Sequence, residues 1–287
     1  MTEARSYLPF DEWLYIRIYT GHRTADRILS EILYPLWDKY NKKGFSESWF
    51  FVRYSDPDFH LRFRAKMKNK GNSFKLLDEL KQLIMPLKNA GLVWEIDIGT
   101  YVPEVERYGA GSMFLVEQIF CADSIAVAEA LHNKLFSNDE HNRWLYAIAS
   151  IDRLLDDFKF NMEDKKSLLL ELSRSYGKEF GKNKDLAKQL SAKYRQHRDN
   201  INGLLSGESE HGIHEVLNKR FLLAEEAVKK LLKMYKQDQM SVSKNDLLSS
   251  LIHMSMNRIF RNNNRLHEMV IYDLLFRHYK SALARKD

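Results

Sequence analysis

An α+β fold is what the sequence predicts, with strands and helices alternating through the first hundred residues and helices alone beyond them. Two observations carry the prediction. Apolar side chains alternate with period two in four short stretches before residue 100, and they recur at helical spacing in long segments after residue 112. Five prolines and twelve glycines, with no Gly/Ser-rich or Pro-rich tract, argue against a long flexible linker.

The first strand is WLYIRIYT (13–20), which sets Leu14, Ile16 and Ile18 against Tyr15, Arg17 and Tyr19. Residues 24–41 repeat Ile28, Ile32 and Leu36, with Leu29 and Leu33 beside them, and form a helix. SWFFVRYS (48–55) and HLRFRAKM (60–67) make a hairpin around Asp56-Pro57-Asp58. Residues 73–89 are helical again, and LVWEIDIG (92–99) is the fourth strand. This β-α-β-β-α-β order is that of a ferredoxin-like split βαβ unit. The boundary is expected near Gly109-Ala110-Gly111, dividing residues 1–111 from a large helical part, 112–287, with the two packed together. Helices are expected at 112–136, 141–160, 163–180, 183–205, 213–236, 244–260 and 265–284.

Strand parity concentrates charge on one sheet face. With Leu14, Ile16 and Ile18 turned toward the helices, Tyr15, Arg17 and Tyr19 face the other way. On the third strand Leu61, Phe63 and Ala65 point inward, while His60, Arg62 and Arg64 point out. The fourth strand adds Glu95 and Asp97 to that outer face. Cations at every second position repel one another, so either water or an anionic ligand lies against them. Covered by the helical half, the face would form a polar cleft. A solvated surface with Glu95 and Asp97 as cross-strand partners fits equally well at this point. A ribonucleoprotein-type RNA platform fits poorly, because such platforms carry aromatic rings where His60, Arg62 and Arg64 stand.

Composition narrows the remaining classes. The 287 residues are 44% hydrophobic and 29% charged, which is enough for a sizeable core. A net charge of +6 is compatible with an acidic ligand without specifying one. Cys121 is the only cysteine, so neither an intrachain disulfide nor a thiolate metal cluster can form. The N-terminal MTEARSYLPFDEW lacks a signal-peptide apolar region, and no run of eighteen apolar residues occurs. A soluble cytoplasmic protein with no membrane association is expected.

Two further stretches carry candidate chemistry. In TYVPEVERYGAG (100–111), Glu104 and Arg107 stand three apart, so one helical turn would pair them, a contact worth well under about 1 kcal/mol if exposed. In SKNDLLSSLIHMSMNRIFRNNNRLHE (243–268), Ser243 with Asp246 resembles a capping box. Within that helix Ser249, His253 and Asn257 share one stripe at i, i+4 and i+8, where hydrogen bonds could fix the imidazole tautomer. No His-x-x-x-His or Glu-x-x-His pair joins His253, so no metal site is expected. Phosphate loops, dinucleotide fingerprints and Gly-x-Ser-x-Gly elbows are missing as well.

WFFVRYSDPDFHLRFR, YVPEVERYG, DSIAVAEAL (123–131) and HMSMNR (253–258), in that order, resemble the C-terminal domain of lantibiotic dehydratases. The same domain occurs as a free-standing protein in thiopeptide-type and other split bacteriocin systems. The resemblance runs from about Trp13 to about Tyr279. It implies a lyase that eliminates glutamate from glutamylated Ser or Thr of a ribosomally made precursor peptide, leaving dehydroalanine or dehydrobutyrine. A separate tRNA-dependent glutamylating protein is the implied partner, with no direct nucleic-acid contact and no cofactor. Relatives that became pyridine synthases, and a non-catalytic leader-binding scaffold, are the alternatives.

The resemblance also implies roles. Arg62 and Arg64 match the family's paired arginines, Arg107 matches its loop arginine preceded by Glu104, and His253 matches its late-helix histidine. All four are expected to be catalytic, with Arg62, Arg64 and Glu104 also binding substrate. Arg53, His60 and Asn257 are added as substrate contacts. Pyridine-forming relatives generally depart from this arginine set, so its retention favours elimination.

Overall fold

The computed structural model describes residues 6–136 and 140–285. The chain forms two compact units, one of Met1–Lys134 with Leu222–Ser243 and one of Leu135–Phe221 with Lys244–Asp287.

In the first unit, β1 (Trp13–Thr20), β2 (Ser46–Ser55), β3 (Phe59–Met67) and β4 (Val93–Ile98) form an antiparallel sheet in the order β2-β3-β1-β4. Leu14, Ile16 and Ile18 are fully buried opposite Ala65, Phe63 and Leu61, so one sheet face is an apolar wall. Residues 56–58 close the β2–β3 hairpin, and the Asp56–Pro57 peptide is cis.

The helix expected at 24–41 runs as α1 (His22–Arg27), a π-helical segment (Ile28–Leu33) and α2 (Tyr34–Lys42). Pro35 has no N–H to offer a carbonyl one turn back, and the wider π turn ends where it enters. The second helix, α3 (Lys70–Asn89), starts at Asn69, whose side chain accepts from the Asn72 N–H at 2.9 Å.

The division expected at 111 falls elsewhere. After a short turn, α4 (Val105–Tyr108), the long helix α5 (Met113–His132) belongs to the first unit. The reason is edge protection. Strand β2 is a sheet edge, and on α5 the Ser124 Oγ accepts from the Phe51 N–H at 3.2 Å while Phe120 packs against Phe50. Residues 222–243 also join this unit: Leu223 and Glu226 line a cavity of about 470 Å³ together with Trp13, Trp37 and Phe114.

The second unit holds α6 (Glu140–Asp157), α7 (Met162–Glu179), α8 (Lys184–Ser206), the first part of α9 (His211–Lys236), α10 (Lys244–Ile259) and α11 (Asn264–Leu283). Helix α11 packs on α7 and α8, and α10 on α6. A capping box of Asn161 and Asp164 starts α7. Two features fix the α10–α11 hairpin. Buried Arg143 donates to the Ile259 carbonyl at 2.5 Å, satisfying one of the last acceptors of α10. Asn263 then takes a left-handed conformation, φ 50°, which asparagine tolerates better than most residues.

Candidate active site

The outward face of the sheet carries Arg17 on β1 and His60, Arg62, Arg64 and Lys66 on β3. Cross-strand carboxylates claim only some of these cations. Asp97 bonds Arg17 at 2.6 Å, raising its pKa, and Lys66 sits 3.4 Å from both Glu12 and Glu47. Neither Arg62 nor Arg64 has an acidic partner among the described residues. Asp97 thus partners an arginine across strands, Arg17 of β1, while Arg62 and Arg64 of the third strand are left without a described acid.

Arg64 is set in an aromatic box. Its guanidinium carbon lies 4.5 Å from the ring centre of Tyr15, 5.0 Å from Tyr101 and 5.2 Å from Phe50, and its Nε is buried without a hydrogen-bond partner. Desolvation holds its pKa below the ordinary arginine value, opposed by Tyr101, Tyr15 and Glu104. A buried donor without an acceptor is costly, and an incoming carboxylate on Nε would remove that cost. Arg62 stacks on Tyr54, 3.4 Å from its ring centre, and its Nε donates to His60 at 3.1 Å. No protein acceptor takes its terminal nitrogens among the described residues, so a two-pronged fork remains.

Glu104 and Arg107 pair at 3.3 Å across α4, as their spacing predicts, and both side chains are exposed. Gly109 ends this turn at φ 85°, where a Cβ would come within 2.8 Å of the Ser112 hydroxyl. Arg53 is a correction to the expected substrate set. It faces Leu61 on the apolar side of the sheet, buried, in a 2.6 Å ion pair with Asp26 of α1. Alternation along β2 puts odd-numbered residues there, so Arg53 cannot share a face with Arg62. His60 lies on the outward face but is 1% exposed, which makes direct substrate contact unsuitable for it.

His253 and Asn257 belong to the second unit and form part of a connected network. His253 Nδ1 lies 2.9 Å and 3.1 Å from the two carboxylate oxygens of Glu268 on α11. A carboxylate only accepts, so Nδ1 carries a proton. Asn257 Nδ2 approaches Nε2 at 3.1 Å, and Asn264 donates to the Asn257 Oδ1 at 2.8 Å. Glu268 is fully buried and accepts from the hydroxyls of Tyr176 at 2.7 Å and Tyr272 at 2.8 Å. Both phenols have raised pKa values, first from burial and then from the Glu268 charge, so they remain donors. Glu268 holds the ring as the acid of a catalytic triad does, fixing the tautomer and favouring a transient imidazolium. Ser249, expected beside His253, instead bonds the Asn245 carbonyl.

Sequence reasoning missed Glu268, although a signal was present. His253 lies six residues before the end of α10 and Glu268 four after the start of α11. The turn at Asn262-Asn263-Asn264, with Asn263 left-handed, brings the two side chains together. Among the described residues, no group of three or more His, Cys, Asp or Glu side chains could hold a metal ion. No described helix is long and apolar enough to cross a membrane.

A family model described as lantibiotic biosynthesis dehydratase C-term matches residues 13–279. The chain belongs to this family. It is 26% identical over 272 residues to the subtilin biosynthesis protein SpaB of Bacillus subtilis, a match covering 93% of this chain and 25% of that protein. It is 28% identical over 275 residues to the nisin biosynthesis protein NisB of Lactococcus lactis subsp. lactis, covering 95% and 26%. The chain thus spans about a quarter of the length of these curated relatives. Its fold is shared with the tRNA dependent lantibiotic dehydratase MibB from Microbispora sp. 107891, at TM-score 0.73 and 22% identity over 96% of this chain and 28% of that one. The pyridine synthase TbtD, from thiomuracin biosynthesis, matches at TM-score 0.67 and 13% identity over 96% of this chain and 100% of its own.

Proposed function

We propose that this lantibiotic dehydratase family member is a lyase that eliminates glutamate from glutamylated Ser or Thr of a precursor peptide. The observation that carries the reading is the pair Arg62 and Arg64, which share one sheet face with forks unclaimed by any described protein acid, while Arg17 and Lys66 beside them are neutralised. Elimination breaks the Cα–H and Cβ–O bonds of the modified residue, forms a Cα=Cβ double bond and releases glutamate as a carboxylate. Arg62 and Arg64 bind the glutamyl group through its free carboxylate, and Arg107, held by Glu104, steadies developing charge. His253, oriented by Glu268, moves the proton. The strand order β2-β3-β1-β4 and the element order β-α-β-β-α-β support reading the first unit as ferredoxin-like.

The glutamylated substrate is assigned to a separate tRNA-dependent protein, which pull-down with this chain tests. The direct experiment is mass spectrometry of a synthetic peptide bearing glutamyl-serine, before and after mixing. Loss of glutamate to give dehydroalanine is expected, and Arg64→Lys should retain the charge yet lose activity, because an ammonium cannot form the fork. An unchanged glutamyl peptide refutes the reading. The full-length fold match to TbtD supplies a second reading, pyridine formation. A peptide already containing two dehydroalanines, converted to a pyridine macrocycle, would establish it instead.

A further inference from the structure

The expectation that His60 touches substrate leaves its two ring nitrogens to be explained, and both are occupied. Nδ1 lies 2.8 Å from the Asp58 carbonyl oxygen, which can only accept, so Nδ1 bears the proton. Nε2 must then be the acceptor for the Arg62 Nε–H at 3.1 Å. The ring is clamped between Tyr19, 4.7 Å away on β1, and Tyr54, 5.7 Å away on β2, and Tyr54 also supports the flat face of Arg62. We propose that His60 is a positioning residue: its neutral ring fixes the Arg62 guanidinium through Nε, with both terminal nitrogens turned to receive an anionic carboxylate. The inference rests on the reading that Arg62 binds the glutamyl group.

The arrangement has one weak point, protonation. A proton on Nε2 would set an N–H against the Arg62 N–H and a cation against a cation, so the fork must leave its place. The charged groups that face His60 are Arg62 on the same strand, Arg17 on β1 and Asp97 on β4; the phenols of Tyr19 and Tyr54 and the Asp58 carbonyl complete the surroundings. Burial, followed by Arg62 and Arg17, lowers the pKa of His60, against the opposing pull of the Asp58 carbonyl and Asp97. The neutral form therefore persists to somewhat below the usual imidazole range, and capture by Arg62 fails only in more acid solution.

Two measurements on the full chain test this. The first is nitrogen NMR with labelled arginine and histidine. A scalar coupling between Arg62 Nε and His60 Nε2 is expected at pH 8, vanishing with the midpoint at which His60 titrates. If His60 titrates while the Arg62 Nε signal stays unmoved, the proposal is overturned. The second is the pH dependence of KM against kcat for the glutamyl-serine peptide. Wild-type KM should rise about 10- to 100-fold as His60 protonates, the range of one hydrogen bond to a charged group, with kcat following its own profile. His60→Gln offers a non-titrating acceptor near the Nε2 position; it should raise KM several-fold at pH 8 and abolish the acid rise. A KM profile equally steep in His60→Gln overturns the proposal. Should wild-type protein not eliminate at all, the reaction is misassigned, and the NMR coupling alone decides the role of His60.

Discussion

Arg62 and Arg64 on the sheet keep unclaimed forks, whereas Glu268 in the α10–α11 hairpin accepts from His253, Tyr176 and Tyr272. The two regions solve opposite problems. The Nε of Arg64 is buried without an acceptor and the terminal nitrogens of half-buried Arg62 are open, which suits recognition. The Glu268 carboxylate, with three donors on it, stores geometry, which suits proton transfer because it holds the imidazole in one orientation. Arg53 supplies an internal control: it is an arginine of the same sheet, but it is buried on the apolar face in an ion pair with Asp26.

The largest expected effect lies in the His253–Glu268 network. His253→Ala should slow elimination by about 10²–10⁴-fold while the protein remains folded. Glu268→Gln keeps an acceptor for the tyrosines but removes the charge facing the imidazolium, so a smaller loss in kcat with little change in KM is expected. Single-turnover kinetics on the glutamyl peptide measures both. Wild-type kcat in Glu268→Gln would reduce the network to a structural role.

Next comes the contrast between arginines. Arg53→Ala takes a buried charge partner from Asp26 of α1, and breaking a buried pair this way costs about 3–5 kcal/mol. Arg62→Ala should leave the denaturation midpoint almost unmoved while raising KM. Urea denaturation of the two variants separates them, and equal destabilisation would erase the distinction between engaged and waiting arginines.

A smaller effect concerns acid. In the second unit His267 accepts from the Trp144 indole at 2.9 Å and stacks on Phe260, and burial lowers its pKa. The unfolded chain binds that proton more readily than the folded one. Its contribution to stability is therefore complete above about pH 6.5 and is lost as pH falls through the lower folded value. His267→Gln should flatten thermal stability across that interval. A melting profile as steep as wild type would place the acid sensitivity in other groups.

How much of this was legible follows from the range of each signal. Period-two alternation placed Arg62 and Arg64 on one face because parity is local, and the i, i+3 spacing of Glu104 and Arg107 gave their pairing for the same reason. Parity applied to β2 would also have removed Arg53 from the substrate set. Residues 112–134 read as part of the helical body because a helix that caps a sheet edge carries the same periodicity as one in a bundle. Glu268 and the tyrosines of its network meet through helix pairing, which no single window of sequence encodes.

The smallest effect sharpens the comparison most, because it separates the two uses of a charged pair. Glu104 and Arg107 are exposed, and an i, i+3 pair of this kind contributes about 0.2–0.5 kcal/mol. Glu104→Gln should accordingly shift the denaturation midpoint hardly at all. If Arg107 serves the reaction, however, the same substitution removes one contact that places its guanidinium, and kcat should fall several-fold without loss of fold. Stability and rate both unchanged would leave the pair as surface decoration and restrict the working cations to Arg62 and Arg64. A fall in rate alone would show that a contact too weak to matter for folding is retained for where it holds a charge.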